Sequence, residues 1–231
     1  GTHKGFQRLV KYARKVSNNY TRDCWVLKCD IKKFFDSINH KILLDLIKLK
    51  VKDADIVWLV KEIIKGYETS SGRGIPIGNL TSQLFANIYL NELDQFLKHK
   101  LKVKYYLRYA DDFILLHEDF RFLTEALKEI KNFVASKLKL KLHKDKVSFR
   151  KLSWGIDFVG YVALPKHQVL RTKTKKRIYR KIRERIYSYK SNTIDLVSLN
   201  QPTQSYLGIL KHADTFKLEQ DLRNQIWFWL N

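Results

Sequence analysis

Apolar residues recur at two different spacings along this chain. Intervals of three and four residues predict amphipathic helices over residues 4–16, 40–50, 53–67, 79–98 and 122–138. Short apolar runs that suit strands lie at residues 24–30, 104–109, 112–116, 140–149 and 155–164. This mixture of helices and strands predicts an α+β fold.

The runs on either side of Ala110-Asp111-Asp112 predict two paired strands joined at that tripeptide. Aspartate is common in turns for local hydrogen-bonding reasons, which would explain the pair without any function. Asp30, however, ends another strand signal, at residues 24–30. If these strands are neighbours, three carboxylates converge at one sheet edge, and like charges so close are unfavourable unless a cation lies among them. Oxygen ligands without nearby His or Cys point to magnesium.

A glycine-rich stretch at residues 70–78, SSGRGIPIG, lies between two strong helical signals, so we expect a shaped loop there and not a linker. The long helix that follows, at residues 79–98, is expected to pack through Leu84, Ile88, Leu93 and Leu97. Upstream of the loop, Ser37 or Asn39 can cap the helix at residues 40–50.

The formal charge of +22 indicates a polyanionic partner, either nucleic acid or an anionic membrane surface. The character of the chain shifts after Pro165, where residues 166–190 hold eleven Lys or Arg against one Glu. Ile178, Ile182, Ile186 and Tyr189 keep a buried stripe at helical spacing in that segment. A basic run is often only a solvated face, but this density favours a surface that follows phosphates. We place a domain boundary near residue 165.

The chain has no apolar run of membrane-spanning length and no leader-like start, so we expect it to be neither membrane-spanning nor secreted. Cys24 and Cys29 suit neither a zinc ribbon nor a redox pair, and core packing in a cytoplasmic protein is expected. The opening GTHKGFQRL and the absence of Met suggest that an upstream segment is missing.

Five motifs follow one another along the chain in an order that resembles that of the palm motifs of reverse transcriptases. They are Asp30 with the aromatic Phe35 five residues later, GIPIGNLTSQLFANIYL at residues 74–90, YADD at 109–112, the lysine of LKLHKDKVSF at 140–149, and WGIDFVGY at 154–161. Ile77-Gly78 and Ser82-Gln83 replace the Gln-Gly and Ser-Pro of most relatives, which is the pattern of the diversity-generating retroelement branch. LFANIYLNELD, by contrast, is shared with group II intron enzymes.

The resemblance implies a polymerase right-hand architecture, with an antiparallel-sheet palm packed by helices, partial fingers and a helical thumb. Partial fingers would be residues 1–22 and 41–75, the palm 23–40 and 76–165, and the thumb 166–231. The activity implied is an RNA-directed DNA polymerase, error-prone in the diversity-generating branch, which copies an RNA template by two-metal nucleotidyl transfer.

By resemblance, Asp30 and Asp111 would bridge two magnesium ions, which manganese can replace, with Asp112 in support and the carbonyl of Ile31 as a further ligand. Two ions can steady both the attacking and the leaving oxygen of such a transfer. Lys146 would lie near the pyrophosphate leaving group, although by composition alone it is an ordinary surface lysine.

Phe35 would exclude a ribose 2′-hydroxyl, although an aromatic at this position is commonly core. The resemblance places further residues at the incoming deoxynucleotide, namely Ile77, Gly78 and Gln83. It places others along the template and primer, namely Arg73, Gly74, Gly155, Phe158, Gly160, Lys175, Lys176 and Arg180.

The partners implied are an RNA template, a DNA or RNA primer and deoxynucleotides, with no membrane. In the diversity-generating branch a small basic accessory protein and a cognate template RNA are added. Two alternatives stay open: a group II intron or retron enzyme of normal fidelity, and a non-catalytic RNA-binding protein on a polymerase fold. The intact set of three aspartates argues against the second.

Overall fold

The computed structural model describes residues 1–67 and 69–230, and it combines helices with antiparallel strands, which confirms the predicted α+β class. Residue contacts divide the chain into two compact units. One unit is Tyr12–Lys151, and the other joins Gly1–Lys11 to the chain from Leu152 onward. The boundary between residues 11 and 12 falls within the first helix.

The elements up to residue 151 follow one another in this order: α1 (Thr2–Val16), β1 (Trp25–Cys29), α2 (Phe34–Ser37), α3 (His40–Lys48), α4 (Ala54–Lys65), α5 (Leu80–Gln95), β2 (Tyr105–Tyr109), β3 (Asp112–His117), α6 (Phe120–Ser136) and β4 (Ser148–Lys151). A π-helical turn, Phe96–Lys100, extends α5. A 3₁₀ turn, Lys144–Lys146, precedes β4.

The strands of this unit form one sheet in the order β2-β3-β1-β4, in which all neighbours are antiparallel. Strand residues alternate between the two faces of a sheet. Leu27 and Cys29 of β1 and Phe113 and Leu115 of β3 therefore share one face, and all four lie in the main hydrophobic core. Buried residues of α5 and α6 belong to the same core, so helices cover this face.

Local signals fix the helix starts. The side chain of Asn39 accepts a hydrogen bond from the amide of Ile42 at 3.0 Å, which confirms it as the cap of α3 and excludes Ser37 from that place. Asp53 caps α4 in the same way.

Some predicted details were wrong. Leu84 is exposed, because the buried face of α5 is formed by Phe85, Ala86, Tyr89, Leu90 and Leu93. The run at residues 140–149 is not one strand, since a 3₁₀ turn interrupts it, and the run at 155–164 is two short strands.

The second unit contains the strands β5 (Ile156–Phe158), β6 (Tyr161–Ala163) and β7 (Gln168–Leu170), which form an antiparallel sheet in that order. The helices α7 (Thr172–Lys190), α8 (Leu196–Leu210) and α9 (Phe216–Leu230) follow. Ile178, Ile182 and Ile186 are buried along α7, as predicted, whereas Tyr189 is only half-buried. Residues 152–165 thus belong to the unit that contains these helices, whereas the division into fingers, palm and thumb stays a prediction.

Candidate active site

Strand register brings Asp30 and Asp112 together. Cys29 is paired with Phe113 at the end of the β1–β3 ladder, so one further step places Asp30 opposite Asp112. Both residues are one position from core residues of the helix-covered face, and strand alternation therefore puts their side chains on the other face. Asp111 precedes Asp112 in the β2–β3 turn. Asp30 is thus distant in sequence from Asp111 and Asp112 but adjacent to them in the sheet.

Ala110 gives the turn its shape. Its φ of 52° lies in the left-handed region, which residues other than glycine rarely adopt. Asp112 is already a strand residue, paired with Tyr109. The turn proper is therefore Ala110-Asp111, one residue shorter than the predicted tripeptide.

A lysine completes the cluster from the opposite side of β1. The β1–β4 ladder runs to Lys28 paired with Ser148, and two further steps in the same register lead from Lys28 to Asp30 and from Ser148 to Lys146. The amide of His143 donates to the carbonyl of Asp30 at 2.8 Å, which holds the intervening turn in place. Lys146 Nζ donates a hydrogen bond of 2.8 Å to Asp30 Oδ2.

The carboxylates are held close enough to change each other's protonation. Burial, the charges of Asp30 and Asp111, and a hydrogen bond shared with Asp30 raise the pKa of Asp112 to about 6, against the opposing charge of Lys28. Burial and the charge of Asp30 also raise the pKa of Asp111, which Lys146 partly offsets. Asp30 itself is only 6% exposed. Acidic groups in this state are stabilised by a nearby cation.

Within residues 1–67 and 69–230, no group of three or more His, Cys, Asp or Glu side chains is already arranged to hold a metal ion. Magnesium does not require such a cage, because proteins commonly hold it through one or two carboxylates together with substrate phosphates. The oxygen-only donors of Asp30, Asp111 and Asp112 fit a hard divalent cation of this kind.

The glycine-rich loop docks against the chain that follows the first strand. The amide of Gly74 donates to the carbonyl of Ile38, and the amide of Ile75 donates to the carbonyl of Phe35, both at 2.9 Å. His40 Nε2 is 2.6 Å from the carbonyl of Gly74. Phe35 is half-buried and meets Phe34 edge to face. The loop and the predicted nucleotide-selecting aromatic are thus fixed to each other.

The predicted nucleotide contacts after the loop are open to solvent. Ile77 is 73% exposed, and Gly78 and Gln83 are exposed as well. Arg73 is half-buried, and its guanidinium donates to the carbonyl of Lys139 at 3.5 Å. Ile31 forms an isolated bridge with Leu142. Ile31 is 1% exposed and its side chain packs in the main core, so only its backbone carbonyl can act as the predicted metal ligand.

The predicted nucleic-acid contacts of the second unit differ in exposure. Phe158 is only 1% exposed and packs in the core, so a primer contact there would have to come from the backbone. Gly155 and Gly160 both have positive φ, at the start of β5 and in the β5–β6 turn. On α7, Lys176 and Arg180 are exposed and Lys175 is half-buried.

Sequence reasoning missed the polar network beneath the turn. Arg108 forms a bidentate ion pair with Asp94 of α5 and also contacts the turn carbonyl of Ala110. Arg108 is adjacent to the YADD motif, but nothing in the local pattern shows its partner fourteen residues earlier. Lys28, whose charge acts on Asp112, was missed for the same reason.

A family model described as reverse transcriptase (RNA-dependent DNA polymerase) matches residues 2–163, which is more than half of the 231 residues. The chain belongs to the reverse transcriptase family. The family predicted from the five motifs is therefore confirmed.

Curated relatives of this reverse transcriptase chain include intron-encoded proteins. Protein YkfC of Escherichia coli is 26% identical over 199 residues, which cover 67% of this chain and 52% of that protein. The group II intron-encoded protein LtrA of Lactococcus lactis is 28% identical over 208 residues, covering 59% and 34% respectively. The putative COX1/OXI3 intron 2 protein of Saccharomyces cerevisiae is 25% identical, covering 72% and 26%. The chain spans about half, or less, of the length of these relatives.

Solved structures of similar fold include telomerases. Telomerase from Candida albicans, in complex with a TWJ fragment of telomeric RNA, has a TM-score of 0.59 at 14% identity and covers 97% of this chain and 44% of that chain. Telomerase from Candida tropicalis, in the same kind of complex, has a TM-score of 0.60 at 14% identity, covering 94% and 43%. At these identities the likeness shows the fold alone, which is the predicted polymerase right-hand fold of reverse transcriptases.

None of the helices within residues 1–67 and 69–230 is both long enough and apolar enough to cross a membrane.

Proposed function

We propose that this chain is the polymerase core of an RNA-directed DNA polymerase that extends a primer along an RNA template with deoxynucleotides. The observation that carries the proposal is the meeting of Asp30, Asp111 and Asp112 at the end of a β-ladder, with Lys146 bound to Asp30. Membership of the reverse transcriptase family supports the same activity.

The carboxylates supply the ligands for two divalent ions. Asp30 and Asp111 would hold both ions, and Asp112 and the backbone carbonyl of Ile31 would be the additional ligands. When bound, magnesium, or manganese in its place, lowers the pKa of the primer hydroxyl and neutralises the triphosphate. Burial of Asp30 and the raised pKa values of Asp111 and Asp112 support this role, because each carboxylate gains from a cation.

Lys146 has two tasks in this proposal. In the structure its ammonium pairs with Asp30, and the hydrogen bond to Asp30, with the charge of that carboxylate, raises the pKa of Lys146. Its side chain is 54% exposed, so it is free to turn towards a leaving group when Asp30 binds a metal ion. There the protonated amine stabilises the charge on pyrophosphate or donates a proton to it.

Substrate selection is assigned to the docked loop and its neighbours. Phe35 would exclude the ribose 2′-hydroxyl, and Ile77, Gly78 and Gln83 would border the incoming nucleotide. The aliphatic Ile77 offers no hydrogen bond to that nucleotide, which favours error-prone copying as in diversity-generating retroelements. The group II intron proteins among the relatives favour copying of normal fidelity instead.

The nucleic acid would be held by its backbone. Arg73 and Gly74 in one unit, and Gly155, Gly160, Lys175, Lys176 and Arg180 in the other, are proposed to contact template and primer without reading sequence. The net charge of +22 supports a polyanionic partner. For the diversity-generating branch, a cognate template RNA and a small basic accessory protein are the further partners expected.

Primer extension tests the proposal. The chain is incubated with an RNA template, an annealed DNA primer, deoxynucleotides and magnesium. We expect Asp111→Asn to lower the rate by about a thousand-fold, because a ligand of the ions is lost and metal ions supply several kcal/mol of transition-state stabilisation. Asp145→Asn is the matched control, since the Asp145 side chain is 91% exposed and lies outside the cluster.

Extension by Asp111→Asn at the wild-type rate would overturn the active-site assignment. RNA binding without extension by the wild-type chain would favour the non-catalytic alternative.

A further inference from the structure

Arg108 connects two elements that flank the candidate active site, the helix α5 and the β2–β3 turn. Its Nε and Nη2 donate to the two oxygens of Asp94 at 2.8 and 2.7 Å. Its Nη1 donates to the carbonyl of Ala110 at 3.0 Å and to Oδ1 of Asn87 at 3.3 Å. Asp94 and Asn87 lie on α5, whereas Ala110 belongs to the turn that carries Asp111. A planar guanidinium with five donors suits such simultaneous contacts.

The pair is shielded from water. The Arg108 side chain is 12% exposed and that of Asp94 is 21% exposed. Tyr106, on the same face of β2, donates a third hydrogen bond to Asp94 at 2.6 Å. Burial, with the adjacent charge of Asp94, raises the pKa of Tyr106, so this donor keeps its proton. The anchor of Arg108 on the helix is therefore rigid.

Arg108 contacts the turn at Ala110, the residue whose backbone conformation is strained. A left-handed φ in a residue other than glycine costs on the order of 1 kcal/mol, so the turn needs surrounding contacts to hold it. Asp111 and Asp112 follow at once, and their places relative to Asp30 depend on this turn. The hydrogen bond from Arg108 fixes the carbonyl at the point where the turn begins.

We propose that Arg108 is a positioning residue, which locks the Ala110 turn to α5 and so sets the places of Asp111 and Asp112 relative to Asp30. The inference rests on the proposed polymerase function. It adds that the positions of the metal ligands Asp111 and Asp112 depend on α5, the helix that follows the glycine-rich loop. In this proposal Arg108 acts through its contacts with Asp94 and Ala110.

The test compares substitutions within the one network. Arg108→Lys keeps the charge, but a single ammonium cannot hold both Asp94 oxygens and the Ala110 carbonyl. Tyr106→Phe is the matched control, because it removes a hydrogen bond from the same Asp94 and leaves the donors of Arg108 intact. Asp94→Asn is a second variant, which removes the charge that anchors Arg108 while the side-chain volume stays nearly constant. It tests the same contact if Arg108→Lys does not fold.

Three experiments are compared, and the first two do not depend on activity. The first measures deuterium uptake of the peptides covering residues 105–117, and the second measures Mn²⁺ affinity without nucleic acid by electron paramagnetic resonance. The third is primer extension, which gives the turnover number and the primer–template affinity. For Arg108→Lys we expect faster uptake at the turn, about ten-fold weaker Mn²⁺ binding and at least a ten-fold lower turnover number, because small displacements of catalytic groups are costly. Primer–template affinity should stay within about two-fold, since the proposed nucleic-acid contacts do not include Arg108, Asp94 or Tyr106.

Tyr106→Phe is expected to lower the melting temperature while leaving Mn²⁺ affinity near the wild-type value. The proposal is overturned if Tyr106→Phe weakens Mn²⁺ binding as much as Arg108→Lys does, or if Arg108→Lys leaves uptake and Mn²⁺ affinity unchanged. A wild-type chain that binds Mn²⁺ in an Arg108-dependent way but extends no primer would contradict the proposed function alone.

Discussion

Lys146 donates a hydrogen bond to Asp30 across 116 positions of sequence, and its ammonium stands beside the carboxylate that we propose as a metal ligand. A divalent ion that binds Asp30 must compete with this ammonium. The same contact that stabilises Asp30 in the absence of metal therefore opposes metal binding.

Lys146→Met is expected to tighten Mn²⁺ binding in the absence of nucleic acid by up to about five-fold. This limit follows because an ion pair with a partly exposed partner is worth about 1 kcal/mol at most. The affinity is measured by electron paramagnetic resonance. Lys144→Met removes the same charge from the same 3₁₀ turn and should have a smaller effect. Weaker Mn²⁺ binding by Lys146→Met would show that the ammonium assists the metal.

Ile77→Gln tests the link between this side chain and copying errors. Because Ile77 is 73% exposed, the change should alter the free energy of unfolding by less than about 0.5 kcal/mol. We expect misincorporation opposite template adenine to fall by about ten-fold, the value of one added hydrogen bond. Sequencing of the products gives the error rate for each template base. Leu80→Gln, at a similarly exposed position, is the control, and an unchanged error profile would contradict the role of Ile77.

Gly74→Ala and Gly78→Ala form a matched pair, because both glycines have a φ of 103°. A Cβ on Gly74 would lie 2.7 Å from Thr69 Oγ1, whereas a Cβ on Gly78 meets nothing within 4 Å. We expect Gly78→Ala to cost about 1 kcal/mol from backbone strain and Gly74→Ala about 2 to 3 kcal/mol, since the clash is added. Urea unfolding measures both. Equal losses would show that the loop relaxes around Thr69.

Stability is expected to fall in alkaline solution. Burial raises the pKa values of Cys24 and Cys29 from 9.0 to about 12. A group whose pKa is raised by folding stabilises the protein fully below the unfolded pKa, and this contribution is lost as the pH rises through the folded pKa. The window is therefore pH 9 to 12, and the loss by pH 10.5 is roughly 1 to 2 kcal/mol per thiol. Urea unfolding at several pH values gives the slope, which Cys24→Ala should reduce. An identical slope in that variant would contradict the assignment.

The sequence predicted the parts of the site that depend on strand ends and motif order. Asp30 ends an apolar run and Asp112 starts another, so their meeting required only that the two strands be neighbours. The cap at Asn39 followed from local hydrogen bonding. These features depend on a few consecutive residues, which a single sequence displays directly.

Features set by packing between distant segments could not be predicted. Leu84 is exposed because the buried face of α5 is set by the sheet beneath the helix, and not by the helix's own pattern. Phe158 is buried although its motif suggested a surface contact. Arg108 and Asp94 show no sign of pairing in the sequence, because charged residues on a strand and on a helix have many possible partners.

The division of the chain has a consequence for its synthesis. Residues 12–151 form a continuous unit, whereas the other unit combines residues 1–11 with the chain after 151. A ribosome delivers every residue of the continuous unit, including the aspartate cluster and Lys146, before it makes α7. Residues 1–11 must then wait for their partners, so the unit that carries the aspartate cluster can fold on the nascent chain while α7, α8 and α9 are still being translated.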